Sequence, residues 1–134
     1  MTPEEIGSLA DALMTALAGA DPAALGALYA SEVAVWHNYD RVEQTGEQSV
    51  RTLAWMSSRV RGLTYSEVHR DLLPDGYVQR HLMTATEPAF TAPCMLRVWC
   101  ADGRITRIEE YLDSADVQAV REMAAAHLRN RVAT

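Results

Sequence analysis

The sequence predicts an α+β fold: three N-terminal helices packed on one face of a curved, mostly antiparallel sheet, and a C-terminal helix. Three observations predict it. Apolar residues recur every three to four positions up to about residue 60, then on alternate positions from 64 to 113. One β-branched segment, 33–37, interrupts the helices and must join the later strands. Two Asp-Gly turns, at Asp75-Gly76 and Asp102-Gly103, divide the second half into hairpins. At 134 residues the chain makes one domain, 1–134.

The elements follow in order. Thr2-Pro3-Glu4-Glu5 starts a helix: Thr2 caps, Pro3 takes the first position and Glu5 closes the box. Ile6, Leu9, Leu13 and Leu17 carry that helix to about Ala18. Asp21-Pro22 caps a short second helix with Leu25 and Leu28. Residues 33–37 read as a strand, 41–45 as a loop, and 46–60 as a third helix with Val50, Leu53 and Ser57 on one stripe. Strands follow at 64–71, 77–86, 92–101 and 104–113. Asp113-Ser114 caps a last helix with Val117, Val120, Ala124 and Leu128 at core spacing.

Charge narrows the chemistry. The chain has 18 acids against 12 bases, a net charge of -6, and every base is arginine. Without lysine there is no Schiff base, no lysine general base and no P-loop. Glu4, Glu5, Asp11, Asp21 and Glu32 are among the acids that stand before the first arginine, Arg41, and no basic stripe follows, so nucleic acid is not an expected partner. Cys94 and Cys100 lie six apart on one predicted strand, roughly 20 Å, too far for a mutual disulfide. They read as buried thiols of a reducing compartment. No apolar run reaches the roughly 18 residues of a membrane span. The first 20 residues carry no Lys or Arg, the mark of a signal peptide. A soluble cytoplasmic protein with no membrane partner is expected.

Alternation sorts the candidate site residues. On 104–113, Ile108, Glu110 and Leu112 share a face, so Glu110 is an acid between apolar neighbours. If that face lines the sheet's concavity, burial raises the Glu110 pKa into the useful range; otherwise Glu110 is a solvated or salt-bridged carboxylate, with Arg107 as a candidate partner. On 77–86, Tyr77, Gln79, His81 and Met83 share a face. His81 is the main candidate for proton transfer, with Glu110 as its orienter or as the acid. Gln79 is placed to hold a ligand carbonyl or to bond the backbone. At 36–38, Trp36 is a pocket wall or core. Only one of His37 and Asn38 can point inward, and Asn38, or His37 in its place, would hold an oxyanion or a water. His37, His69, His81 and His127 show no ligand spacing, so no metal and no other cofactor are expected.

Several stretches together carry a resemblance. They are Ala20-Asp21-Pro22 with Leu28-Tyr29-Ala30, Val35-Trp36-His37-Asn38, Gly46 with Val50, and Asp75-Gly76-Tyr77-Val78-Gln79-Arg80-His81. The most specific is Asp102-Gly103-Arg104-Ile105-Thr106-Arg107-Ile108-Glu109-Glu110-Tyr111-Leu112-Asp113. Over about 6–120 the chain resembles the SnoaL-like branch of the NTF2-like, or cystatin-like cone, superfamily. The resemblance implies a cone whose mouth takes a hydrophobic small molecule. It implies a cofactor-independent isomerase, cyclase or hydrolase acting by general acid/base chemistry on a carbonyl or epoxide compound. It also implies a homodimer, for which Met95, Arg97 and Trp99 offer an outer face. A non-catalytic binding domain for a hydrophobic small molecule is the alternative, favoured by Met83 and the apolar strand faces. More distantly, the chain is similar to limonene epoxide hydrolase. Trp36 and Asn38 fall at its Tyr and Asn and Glu110 at its strand-end Asp, while Met83 replaces an Asp with a side chain that moves no proton. Against the ketosteroid isomerases, His37 falls at the position of the base, and Leu13 replaces the oxyanion-hole Tyr. Trp36, Gln79, Met83, Ile108 and Leu112 complete the expected binding surface.

Overall fold

In the computed structural model, which describes residues 1–133, the chain begins with helix α1 (Pro3–Ala18) and helix α2 (Pro22–Leu28). Strand β1 (Tyr29–His37) follows, then β2 (Glu43–Thr45) and helix α3 (Gly46–Arg59). Strands β3 (Thr64–Leu73), β4 (Gly76–Thr86), β5 (Ala89–Ala101) and β6 (Arg104–Leu112) complete one sheet. A 3-10 turn (Ser114–Val117) leads into helix α4 (Gln118–Ala133). Among the described residues no helix is long and apolar enough to cross a membrane.

Local chemistry accounts for the boundaries. Thr2 and Thr45 each close a capping box, with Glu5 and Gln48, and Asp21 caps α2 through the Ala24 N–H. Asp102 and Gly103 both have positive φ, as the tight β5–β6 turn requires. Gly76 opens β4 where a Cβ would meet the Val98 carbonyl, so the close approach of β4 to β5 depends on glycine.

The sheet order is β2-β1-β6-β5-β4-β3. All pairings are antiparallel except β1 with β6, because α3 and the β3–β5 meander separate those two strands in the chain. Register shifts in β3, between Ser66 and His69, and between β5 and β6 bend the sheet. Helix α1 buries Ile6, Leu9, Ala10, Leu13 and Ala16. The larger of these are worth about 1.5–3 kcal/mol each. They meet Tyr77, Leu96, Val98, Ile105 and Ile108 of the sheet.

Three expectations are corrected. The loop 41–45 contains β2, which pairs with β1 through Glu43, Gln44 and Thr45. Three residues sufficed because β1 supplied a free edge. The stripe of α3 runs through Ser49 and Leu53, with Val50 half-buried against the core and Ser57 exposed. In α4, Leu128 is 61% exposed. The 3-10 turn buries Val117 but changes the helical phase, and α4 approaches the body through His127 on Trp55 and Arg121 on Tyr39.

Candidate functional site

An inner cavity of about 130 Å³ lies between the three N-terminal helices and the inner sheet face. By the measure on which one water takes about 10–15 Å³, it admits an organic molecule. Leu13, Leu17 and Leu25 line it from α1 and α2, Leu53 and Met56 from α3, and Val35, Met83, Leu96 and Ile108 from the sheet. Into this apolar chamber project His37, Glu110, Tyr65 and the Tyr29–Ser49 pair.

Glu110 is set by its two neighbours. Leu96 of β5 and His37 of β1 are its register partners. His37 Nε2 lies 3.5 Å from Glu110 Oε1. Burial pushes the Glu110 carboxyl up from its ordinary pKa, and His37 pulls it partly back. Arg107 does not reach it: that guanidinium holds Glu109 at 2.8 Å and Glu43 at 2.7 Å on the other face.

His81, expected as the proton carrier of the cavity, stands on the same inner face, 4% exposed, but is not among the residues that line the cavity. Burial pushes its pKa down. Its Nδ1 is 3.1 Å from the Gln79 amide nitrogen, and its ring meets Tyr65 edge-on at 5.4 Å. Donor atoms of His81, Cys94 and Glu110 lie within 4.8 Å of one another. These residue types can hold a cation. Their surroundings oppose it: burial raises both the Cys94 thiol and the Glu110 carboxyl, and Cys94 Sγ donates to the Ala92 carbonyl at 3.4 Å. A cation would have to compete with protons for both groups.

The structure brings His37, Glu110, Met83 and Ile108 to the cavity wall. Of the pair His37 and Asn38, His37 points inward. The Asn38 amide is engaged at both ends, donating to the Leu112 carbonyl and accepting from the Leu112 N–H, each at 3.0 Å. Asn38 thus fastens the end of β1 to β6 and holds His37 opposite Glu110. Trp36 lies on the outer face against Tyr111, ring centroids 5.3 Å apart, because strand alternation sends it opposite His37. Gln79 is fully buried and touches Arg70, Met14 and His81 rather than the cavity. Leu112 packs with Met83, Cys94 and Val117 in a second core cluster.

Sequence reasoning did not select Tyr29, Ser49 or Tyr65. Tyr29 and Ser49 share a buried 2.8 Å hydrogen bond at the cavity wall, and burial raises both tyrosines' pKa values. Phasing the α3 stripe from Ser49, four before Leu53, would have found one. Pairing Tyr65 with Met83 in an assumed β3–β4 hairpin would have found another.

No family model matches the chain, and no curated protein sequence matches it. Solved structures do. A Catenulispora acidiphila protein with a ketosteroid isomerase-like fold, in complex with trimethylamine, superposes with TM-score 0.74 at 20% identity, over 89% of this chain and 92% of that one. IdmH from Streptomyces antibioticus, a candidate polyketide cyclase, gives TM-score 0.74 at 14% identity over 85% and 96%. A Silicibacter pomeroyi protein with a cystatin-like fold gives 0.72 at 15% identity over 90% and 85%. Six strands with helices on one face, an inner cavity and these superpositions lead to one conclusion: the chain has the NTF2-like, cystatin-like fold.

Proposed function

We propose that the protein is an isomerase- or cyclase-type enzyme that moves a proton on a hydrophobic carbonyl compound, with Glu110 as general acid and base. The observation that carries this reading is one carboxyl group at the wall of a largely apolar cavity beside a histidine, where burial raises its pKa. A carboxylate so placed is desolvated and basic enough to take a proton next to a carbonyl. Tyr29, His37, Gln44, Ser49, Thr52 and Tyr65 are the other polar side chains that line the cavity and are available to a substrate oxygen. The structural likeness to a candidate cyclase and to a trimethylamine complex supports a small-molecule role. Hydrolysis is less favoured, since the Asn38 amide that would hold a water is engaged with Leu112.

The test is deuterium wash-in at the α-carbon of a panel of hydrophobic ketones in D2O, with wild type and Glu110→Gln. Wash-in that falls about 10²–10⁴-fold in the variant is expected. A second reading, a binding domain without turnover, is favoured by the apolar lining. Saturable ketone binding with no wash-in would establish it instead.

A further inference from the structure

The contacts behind His81 decide which of its nitrogens carries the proton. Asp11 accepts a hydrogen bond from Arg70 at 2.8 Å, which fixes the guanidinium. Arg70 Nε donates to Gln79 Oε1 at 3.0 Å. A guanidinium has donors only, so the Gln79 oxygen must face it and the Gln79 NH₂ must face away. That nitrogen lies 3.2 Å from Met14 Sδ and 3.1 Å from His81 Nδ1. An amide NH₂ only donates, so Nδ1 accepts. A neutral imidazole accepting at Nδ1 carries its hydrogen on Nε2. Nε2 is buried and has no hydrogen-bond partner among the described residues. The ionisable groups around the ring are Tyr65 of β3, Cys94 of β5 and Glu110 of β6, with Arg70 behind Gln79; Glu67 and His69 of β3 and Arg80 of β4 line a surface pocket that His81 also reaches.

We propose that Asp11, Arg70 and Gln79 are positioning residues that lock His81 as its Nε2–H tautomer, a standing hydrogen-bond donor beside Glu110 and not a proton carrier. Protonating Nδ1 would set its N–H against the Gln79 NH₂, so the lock opposes the imidazolium as well as the other tautomer. Desolvation acts in the same direction. The roles of the pair are therefore the reverse of the sequence expectation: Glu110 carries the proton and His81 supplies a fixed dipole. The same lock disfavours a cation at Nε2, which would require an Nδ1–H set against the Gln79 NH₂ or, with that contact kept, an imidazolate. The division of labour rests on the enzyme reading above, but the lock itself does not.

The experiment is ¹⁵N–¹H correlation spectroscopy of the ligand-free protein's histidine rings, with His81→Asn used to assign the signals. Wild type should show a pyrrole-type Nε2 and a pyridine-type Nδ1, unchanged from about pH 8 down through the ordinary histidine range. Gln79→Glu replaces the donor by a carboxylate. It should move the proton to Nδ1 and raise the ring's titration midpoint by about one unit or more. Arg70→Met frees the Gln79 amide to rotate and should give mixed tautomers, so the proposal stays testable should the glutamate variant misfold. A pyrrole-type Nδ1 or an imidazolium in the wild type at neutral pH would overturn the proposal. So would a Gln79→Glu protein that folds with His81 unchanged. Neither result depends on substrate, so failure of the lock is distinguishable from failure of the enzyme reading.

Discussion

His37 Nε2 stands 3.5 Å from Glu110 Oε1, and the two residues are register partners on the only parallel strand pair among the described residues. A parallel pairing puts both side chains on the same face at the same height. The carboxyl is thereby buried on one side by the sheet and helices and met on the other by an imidazole.

This pair makes a pH prediction. His37 lowers a Glu110 pKa that burial raises. His37→Phe removes the opposing influence, so the Glu110 midpoint moves further up. The ascending limb of the wash-in rate against pH should shift to higher pH, by about one unit or less. A limb that stays in place would separate His37 from the acid.

Glu110 also carries a stability signature. Its folded pKa lies above the unfolded value, so between the two the folded state binds more protons. Stability attributable to this group is complete below the unfolded carboxylate pKa and falls as pH rises through the folded one. Thermal melts of wild type and Glu110→Gln should converge in acid. At neutral pH the glutamine variant should melt higher, because it has no partly buried carboxylate to ionise. Equal melting differences across that range would contradict the raised pKa.

His81 carries the opposite dependence. Its folded pKa lies below the unfolded value near 6.5. The unfolded chain then binds the extra proton, and stability is lost as pH falls below that value. His81→Asn should flatten the melting profile on this acid side, measured against the same Glu110→Gln baseline.

Asn38 is predicted to act through structure. Asn38→Ala leaves the Leu112 N–H and carbonyl without their side-chain partners. A loss of about 1–3 kcal/mol in denaturant unfolding is expected. The loss should be independent of pH, unlike that of the two ionisable groups.

Leu13 tests the cavity. It is 1% exposed and lines the chamber from α1. Leu13→Ala should cost about 2–5 kcal/mol and enlarge the space opposite Glu110. Larger ketones should then bind relative to small ones, read as a change in the ratio of their dissociation constants.

The sequence by itself determined every element but β2 and the 3-10 turn, because the signals of the others are local. Thr2, Asp21 and the Asp-Gly turns mark boundaries through bonds that reach no more than three residues. Alternation alone put Glu110 with Ile108, and His81 with Gln79, on their respective strand faces. Only the tertiary structure decided what those faces meet. That His37 rather than Asn38 turns inward depends on a clamp to Leu112, 74 residues away in the chain. That Trp36 faces outward follows from the same register. The tautomer of His81 depends on Asp11 through Arg70, which join α1 to β3 across 59 residues. Proton positions are set by partners in space. A periodic pattern names the face a side chain occupies, but not the donor that folding brings against it.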